Sequence, residues 1–323
     1  MTMTPEQAAW FQGTFTRLVD NVDRALMGKR EVIALVLSSM LAEGHVLLED
    51  APGTGKTSLA KALAATVQGT SSRIQFTPDL LPSDVTGVTI YDQNTRTFEF
   101  HRGPVFASIV LADEINRASP KTQSALLEVM EESRITIDGQ PHEVGRPFLV
   151  IATQNPIEQA GTYKLPEAQL DRFLIKTSIG YPDLAVAERI LAGAADRNPS
   201  ASLSAIITTG AVADMADLAA TVHVEQAVLR YAAELSQATR ADAGARLGVS
   251  VRGSLAMVRI AKVWAAAQGR HYVVPDDIKA LAGPVWTHRI VLDPEAEFSG
   301  TTAETVVARA LDAVAAPQSR SAA

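Results

Sequence analysis

Two stretches of the chain carry residue types that suit triphosphate chemistry. Residues 46–57 run Val-Leu-Leu-Glu-Asp-Ala-Pro-Gly-Thr-Gly-Lys-Thr, a short apolar run that breaks into a glycine-rich turn ending in Lys56 and Thr57. Residues 108–114, Ser-Ile-Val-Leu-Ala-Asp-Glu, form a second apolar run that closes on paired carboxylates. A triphosphate is densely anionic, so its site needs many donors and few bulky side chains. Glycine lets the backbone approach and turn successive N–H groups toward the phosphates, and a following helix adds its positive N-terminal end. On this reading Pro52, Gly53, Thr54, Gly55, Lys56, Thr57 and Ser58 form the cradle. Lys56 reaches the β- and γ-phosphates, and the Thr57 hydroxyl takes one Mg²⁺ position. Asp50 stands where the general pattern G-x-x-x-x-G-K-[ST] has its first glycine, so its carboxylate is expected to point away from the phosphates.

Asp113 and Glu114 end a run too apolar for a surface strand. Neighbours on a strand point opposite ways, but where the chain curls at the strand's end both can reach one site. Asp113 then holds Mg²⁺, directly or through water, because this hard cation takes only one or two carboxylates. Glu114 polarises the attacking water. The alternatives are a plain strand–turn–helix joint for the first motif and a solvated Asp-Glu opening a helix for the second. The strand-to-helix setting of the loop, with both motifs in one chain, argues for the site.

Both motifs need a sheet to position them. Residues 1–182 alternate short β-like runs with helical patterns, which predicts a parallel sheet sandwiched by helices. The expected strands are Val46–Glu49, Arg73–Phe76, Ile109–Asp113, Phe148–Thr153 and Leu174–Ser178, with a helix over Ser58–Val67. Two insertions read as hairpins, about 88–100 around Asp92-Gln93-Asn94-Thr95 and 134–144 around Asp138-Gly139, a favoured tight-turn pair. From Tyr181-Pro182 onward the composition turns Ala-rich, and Val222, Val224, Val228, Tyr231 and Leu235 recur at helical spacing, predicting an all-helical domain over 183–316. Further helices start near Ser250 and at Pro275, and 317–323 read as a frayed tail.

The 323 residues are enough for two domains with real cores, and 47% hydrophobic with 20% charged residues is ordinary for a soluble globular protein. A net charge of −7 argues mildly against a protein that lives on nucleic acid or acidic lipid. With no cysteine there is no disulfide and no thiolate metal site, which suits a cytoplasmic location. Met1–Gln12 carries Glu6 and lacks the basic cluster of a signal peptide, and the apolar stretch Val32–Ala42 is too short to span a bilayer. The histidines show no metal-ligand spacing and read as structural or surface residues, and Trp10, Trp264 and Trp286 read as core or interface aromatics.

The order of these blocks resembles the AAA+ ATPases and, within them, the MoxR family. The matching stretches are residues 44–50 with the loop, Phe76–Asp84, Gly103–Phe106, Asp113–Ala118, Ala152–Pro156, Leu165–Phe173, and the block from Val249 to Asp277. Together they span roughly Val22 to Pro294, and Val251 stands where the family more often has proline. The resemblance implies an AAA+ P-loop NTPase core followed by a helical lid, an ATP- and Mg²⁺-dependent hydrolase. It implies a sensor role for Asn155, an arginine finger reaching a neighbouring subunit for Arg172, and a lid-coupling sensor role for Arg252. Their alternatives are a turn asparagine, an ion pair with Asp171 or Glu167, and a surface charge. It also implies rings, usually hexamers, and chaperone-like maturation of partner complexes, often with proteins carrying a von Willebrand factor A domain. The hairpins match inserts that face the pore in related motors. A DNA-translocating helicase-like motor would want basic hairpin tips, and Asp92-Gln93-Asn94 and Asp138-Gly139-Gln140 are not basic. A chelatase-type motor subunit differs only in its partner, and a nucleotide-gated module without turnover would have less need of an intact Lys56, Thr57, Asp113 and Glu114.

Overall fold

The computed structural model describes residues 2–155, 163–192 and 203–317, so Pro156 and most of the expected tail lie outside the described residues. The chain forms two compact units. One holds Arg17–Arg172 and Thr177–Asp214; the other holds Met1–Thr16, Phe173–Lys176 and Met215–Ala323. This division differs from a single boundary at 182. The described part of 183–214 belongs with the α/β unit because Val186 lies against Gly28 and Ile206 N–H bonds Thr66 O at 2.8 Å. The first residues belong with the helical unit, where Met3 N–H bonds Thr221 O at 3.3 Å and Gln12 covers Gly269.

The strands up to residue 177 are β1 Val46–Glu49, β2 Ser71–Gln75, β3 Gly87–Asp92, β4 Thr97–Arg102, β5 Ile109–Asp113, β6 Arg134–Ile137, β7 Gln140–Glu143, β8 Leu149–Gln154 and β9 Ile175–Thr177. Five of them form one sheet in the order β2-β5-β8-β1-β9, and the β2–β5, β5–β8 and β8–β1 ladders are parallel. Val46, Leu47 and Leu48 in β1, Ile109 and Val110 in β5, and Leu149, Val150 and Ile151 in β8 are fully buried. That is the continuous apolar character a parallel sheet needs when both of its faces are covered. Leu59 and Leu63 from the helix Lys56–Thr66 and Leu126 and Leu127 from the helix Pro120–Glu132 join this core. The register sets Gln75 opposite Asp113 and Glu49 opposite Gln154, so the C-terminal ends of β1, β2, β5 and β8 align. Both insertions form antiparallel hairpins, β3–β4 and β6–β7.

The helical unit packs the helices Gln226–Ala241, Val251–Ala267, Pro275–Trp286 and Ala303–Ala313 around Tyr231, Leu235, Met257, Ile260, Leu281, Trp286 and Val306. Ser250 caps its helix by accepting from Gly253 N–H at 3.0 Å, the local reason this helix starts where it does. It is not wholly helical: β10 Ala245–Leu247 pairs antiparallel with β11 Val291–Leu292. Asp277, only 3% exposed, takes a two-pronged bond from Arg270 at 2.6 and 2.7 Å and also accepts from Val274 N–H at 2.9 Å. Trp286 is buried as expected, with its ring N–H on Gly253 O at 3.1 Å, whereas Trp10 is 52% exposed.

Candidate nucleotide site

The loop after β1 turns through two glycines in the left-handed region, Gly53 at φ +84° and Gly55 at φ +97°. Gly55 then caps the helix Lys56–Thr66. A side chain at Gly55 would carry the left-handed penalty and would also meet Leu26 Cδ1 at 2.7 Å. The loop borders a cavity of about 480 Å³ lined by Asp50, Pro52, Gly53, Gly55, Lys56, Thr57, Ser58, Arg73, Gln75, Asp113, Glu114, Thr153 and Asn155. The aligned strand ends converge on it: Asp50 follows β1, Gln75 ends β2, Asp113 ends β5 and Asn155 follows β8. Of the expected cradle residues, Thr54 alone is not in the lining; its hydroxyl turns onto Ala51 O at 3.4 Å.

Lys56 Nζ donates to the carbonyls of Asp50 and Ala51 at 3.2 and 3.3 Å, which places its ammonium on the loop it springs from. The Asp50 side chain turns to the segment after β9, accepting from Ile179 N–H at 2.6 Å and Gly180 N–H at 2.9 Å. A carboxylate at the position of the pattern's first glycine thus has a structural use, and it is 5% exposed.

The carboxylate pair is held from two neighbouring strands. Asp113 accepts from Thr153 Oγ1 at 2.7 Å through one oxygen, and the other meets Arg73 Nη2 at 2.6 Å. Glu114 leaves β5 in the left-handed region, at φ +57°, with its N–H on Thr153 Oγ1 at 2.9 Å. Thr153 therefore fixes both residues. The curl expected at the strand end is this left-handed residue, and it brings the two carboxylates to one cavity. Glu114 Oε2 also accepts from Gln75 Nε2 at 2.9 Å and Arg117 Nη1 at 2.8 Å.

Arg73, Gln75 and Thr153 were not identified as site residues from the sequence. Each sits in or beside an expected strand, but only the strand order places them beside Asp113 and Glu114. Arg172 is not in the cavity lining: its Nε lies 3.2 Å from Glu131, on the helix Pro120–Glu132. Sequence adjacency had pointed to Asp171 or Glu167 as its carboxylate partner. Arg252 lies in the helical unit, exposed in the first turn of the helix Val251–Ala267.

The donor set fits a magnesium nucleotide. It offers a backbone loop of two left-handed glycines, one ammonium, the Thr57 hydroxyl and one carboxylate already oriented by a hydroxyl. Magnesium is held by such sparse oxygen sets together with water and phosphate. Among the described residues no cluster of three or more His, Cys, Asp or Glu could cage a metal alone.

Comparison with known proteins agrees with this geometry. A model of the ATPase family associated with various cellular activities (AAA) matches residues 45–175, and an AAA lid domain model matches residues 237–310. The fold and site define an AAA+ ATPase core with a lid domain. The chain is 41% identical to the chaperone MoxR1 of Mycobacterium tuberculosis over 94% of this chain and 83% of that one. It is 34% identical to the protein MoxR of Paracoccus denitrificans over 84% of this chain and 87% of that one. It is also 47% identical, over 95% of its length and 96% of the relative's, to the uncharacterised protein YeaC of Bacillus subtilis. A crystal structure of a candidate ATPase from Cytophaga hutchinsonii superposes with a TM-score of 0.90 at 37% identity, covering 97% of this chain and 98% of that one. The chain belongs to the MoxR family of AAA+ ATPases.

Proposed function

We propose that the protein is a magnesium-dependent ATP hydrolase that assembles into a ring, usually a hexamer in this family, and matures or remodels partner protein complexes. The observation that carries the hydrolase reading is the convergence of Lys56, Thr57, Asp113, Glu114 and Asn155 on one cavity. Pro52–Ser58 cradle the phosphates, with Lys56 leaving its loop carbonyls for the stronger charge of the β- and γ-phosphates. Thr57 and Asp113 are the residues that would hold magnesium, which when bound offsets phosphate charge. Glu114 orients and deprotonates the attacking water, held in place by Gln75 and Arg117. Asn155 orients that water or the γ-phosphate. Arg172 completes a neighbouring subunit's site, and Arg252 couples nucleotide state to the lid. The domain assignment follows: an α/β ATPase core with two hairpin inserts, then the lid.

A site completed by a neighbour's arginine needs a head-to-tail interface, and such interfaces close into rings. The β3–β4 hairpin supports a protein client over DNA, since its turn presents Asp92 bonded to Asn94 N–H beside an exposed pair of rings, Tyr91 and Phe98. A partner with a von Willebrand factor A domain and a cytoplasmic location belong to the same proposal. No described helix is long and apolar enough to cross a membrane. The test is ATP turnover per subunit across a wide range of protein concentration. Turnover that climbs steeply and then saturates supports assembly-completed sites. A flat rate from a species that sediments as a monomer contradicts them.

A further inference from the structure

Arg73 lines the nucleotide cavity, yet nothing in the proposed cycle uses it. It lies on β2, the edge strand of the sheet, two residues before Gln75 and so on the same face of the strand. Its Nη2 donates to Asp113 Oδ2 at 2.6 Å and to Gln75 Oε1 at 2.9 Å. The other oxygen of that carboxylate, Oδ1, accepts the Thr153 hydroxyl at 2.7 Å. All four residues belong to one compact unit.

The two oxygens of Asp113 thus have unlike partners. Thr153 is a neutral donor, which orients the carboxylate and leaves its charge in place. Arg73 is a cation, and it meets the same negative charge that a magnesium ion would use. A guanidinium and a divalent ion on one carboxylate repel each other, so Arg73 has to loosen its hold for Asp113 to serve a metal. The Arg73 side chain is 53% exposed, and an ion pair that open contributes little to folding. Its place on the wall of the cavity gives it a consequence for binding instead. Beside an anionic phosphate chain an unpaired carboxylate is repulsive, and Arg73 cancels that repulsion whenever Asp113 carries no metal.

Resting on the roles given above to Asp113 and magnesium, we propose that Arg73 is a stand-in cation that competes with the metal for Asp113. It supports binding of metal-free nucleotide and opposes binding of the metal-bound form. Loading of the metal on Asp113 then frees a guanidinium within the same cavity.

The experiment measures equilibrium binding of a fluorescent ADP analogue, chosen so that turnover does not intervene, in excess magnesium and in EDTA. The quantity compared is the ratio of the two affinities, magnesium over EDTA, in wild type, Arg73→Met, Arg73→Lys, Asp113→Asn and the double variant Arg73→Met with Asp113→Asn. Arg73→Met should raise the ratio about 3- to 30-fold, between the worth of an exposed ion pair and that of a charged hydrogen bond. Arg73→Lys keeps the charge without the fork and should fall between wild type and Arg73→Met. Asp113→Asn should lower the ratio, and in that background Arg73→Met should change it less than about twofold, because the shared carboxylate is gone. Thermal melting runs alongside, and Arg73→Gln takes the place of Arg73→Met if the latter does not melt cooperatively. If Asp113→Asn leaves the ratio at its wild-type value, the magnesium role of Asp113 fails, whatever Arg73 does. If Asp113→Asn lowers the ratio while Arg73→Met lowers it or raises it less than about threefold, the stand-in role is overturned and the magnesium role stands. An equal rise from Arg73→Met with and without the Asp113 carboxylate also overturns it, because Arg73 would then act on the phosphates directly.

Discussion

Replacing Asp50 by alanine should uncouple the phosphate loop from the segment that follows β9. The carboxylate is buried and takes two backbone N–H bonds, from Ile179 at 2.6 Å and Gly180 at 2.9 Å. Removing the acceptor strands both donors. A buried donor left without a partner costs about 1–3 kcal/mol. The full cost applies at Ile179, which is buried, and part of it at Gly180, which is half-buried and open to replacement water. The sum is about 2–4 kcal/mol, equivalent to roughly a 30- to 1,000-fold loss of local closing at about 1.4 kcal/mol per factor of ten. Amide hydrogen exchange over residues 175–182 reads this directly, with Asp50→Asn, which keeps one acceptor oxygen, falling between. Asp50→Gly restores the general pattern and should behave like Asp50→Ala. The reasoning is refuted if exchange in that segment is unchanged while nucleotide affinity rises, because Asp50 would then be acting on the phosphates.

Lys56→Ala should weaken binding of a fluorescent ATP analogue about 100-fold or more, as loss of a charged hydrogen bond of 1.5–3 kcal/mol to more than one phosphate requires, with the melting temperature little changed. Asp277→Ala takes the fork partner from the half-buried Arg270, which keeps Tyr272 O and Gln268 Oε1, so chemical denaturation should show the helical unit about 1.5–3 kcal/mol less stable. His288 tests pH dependence. Burial, reinforced by the Arg289 charge, holds its imidazole well below the ordinary 6.5 and so neutral in the folded chain. Below that pH the unfolded chain binds one proton more than the folded one. Stability should therefore fall as pH drops from 6.5, with a limiting slope of about 1.4 kcal/mol per pH unit from this group. Denaturation at a series of pH values should show a shallower acid slope in His288→Gln than in wild type.

Much of the core was legible because its signals are local. β1 and β5 begin and end where the apolar runs do, and the glycine loop announces the helix it caps. The hairpin tips and the helix start near Ser250 were readable for the same reason: turn and helix-start chemistry is carried by the residues themselves. Strand order is not local. Gln75 and Thr153 hold Glu114 and Asp113 only because β2 and β8 flank β5, and no residue in any one strand says which neighbours it takes. The grouping of residues into compact units depends on contacts of the same non-local kind. The composition changes after Pro182, yet Val186 and Ile206 bond and pack back onto the α/β unit.

The central claim is that this cavity hydrolyses ATP with Glu114 as the base, and one variant tests it most directly. Glu114→Gln keeps the size of the side chain and an acceptor for Gln75 and Arg117 while removing the proton-accepting charge. Single-turnover hydrolysis measured beside equilibrium ATP binding should show binding near wild type and hydrolysis slower by about 100- to 10,000-fold, the usual worth of a general base. A variant that binds ATP and hydrolyses it at the wild-type rate would contradict the account.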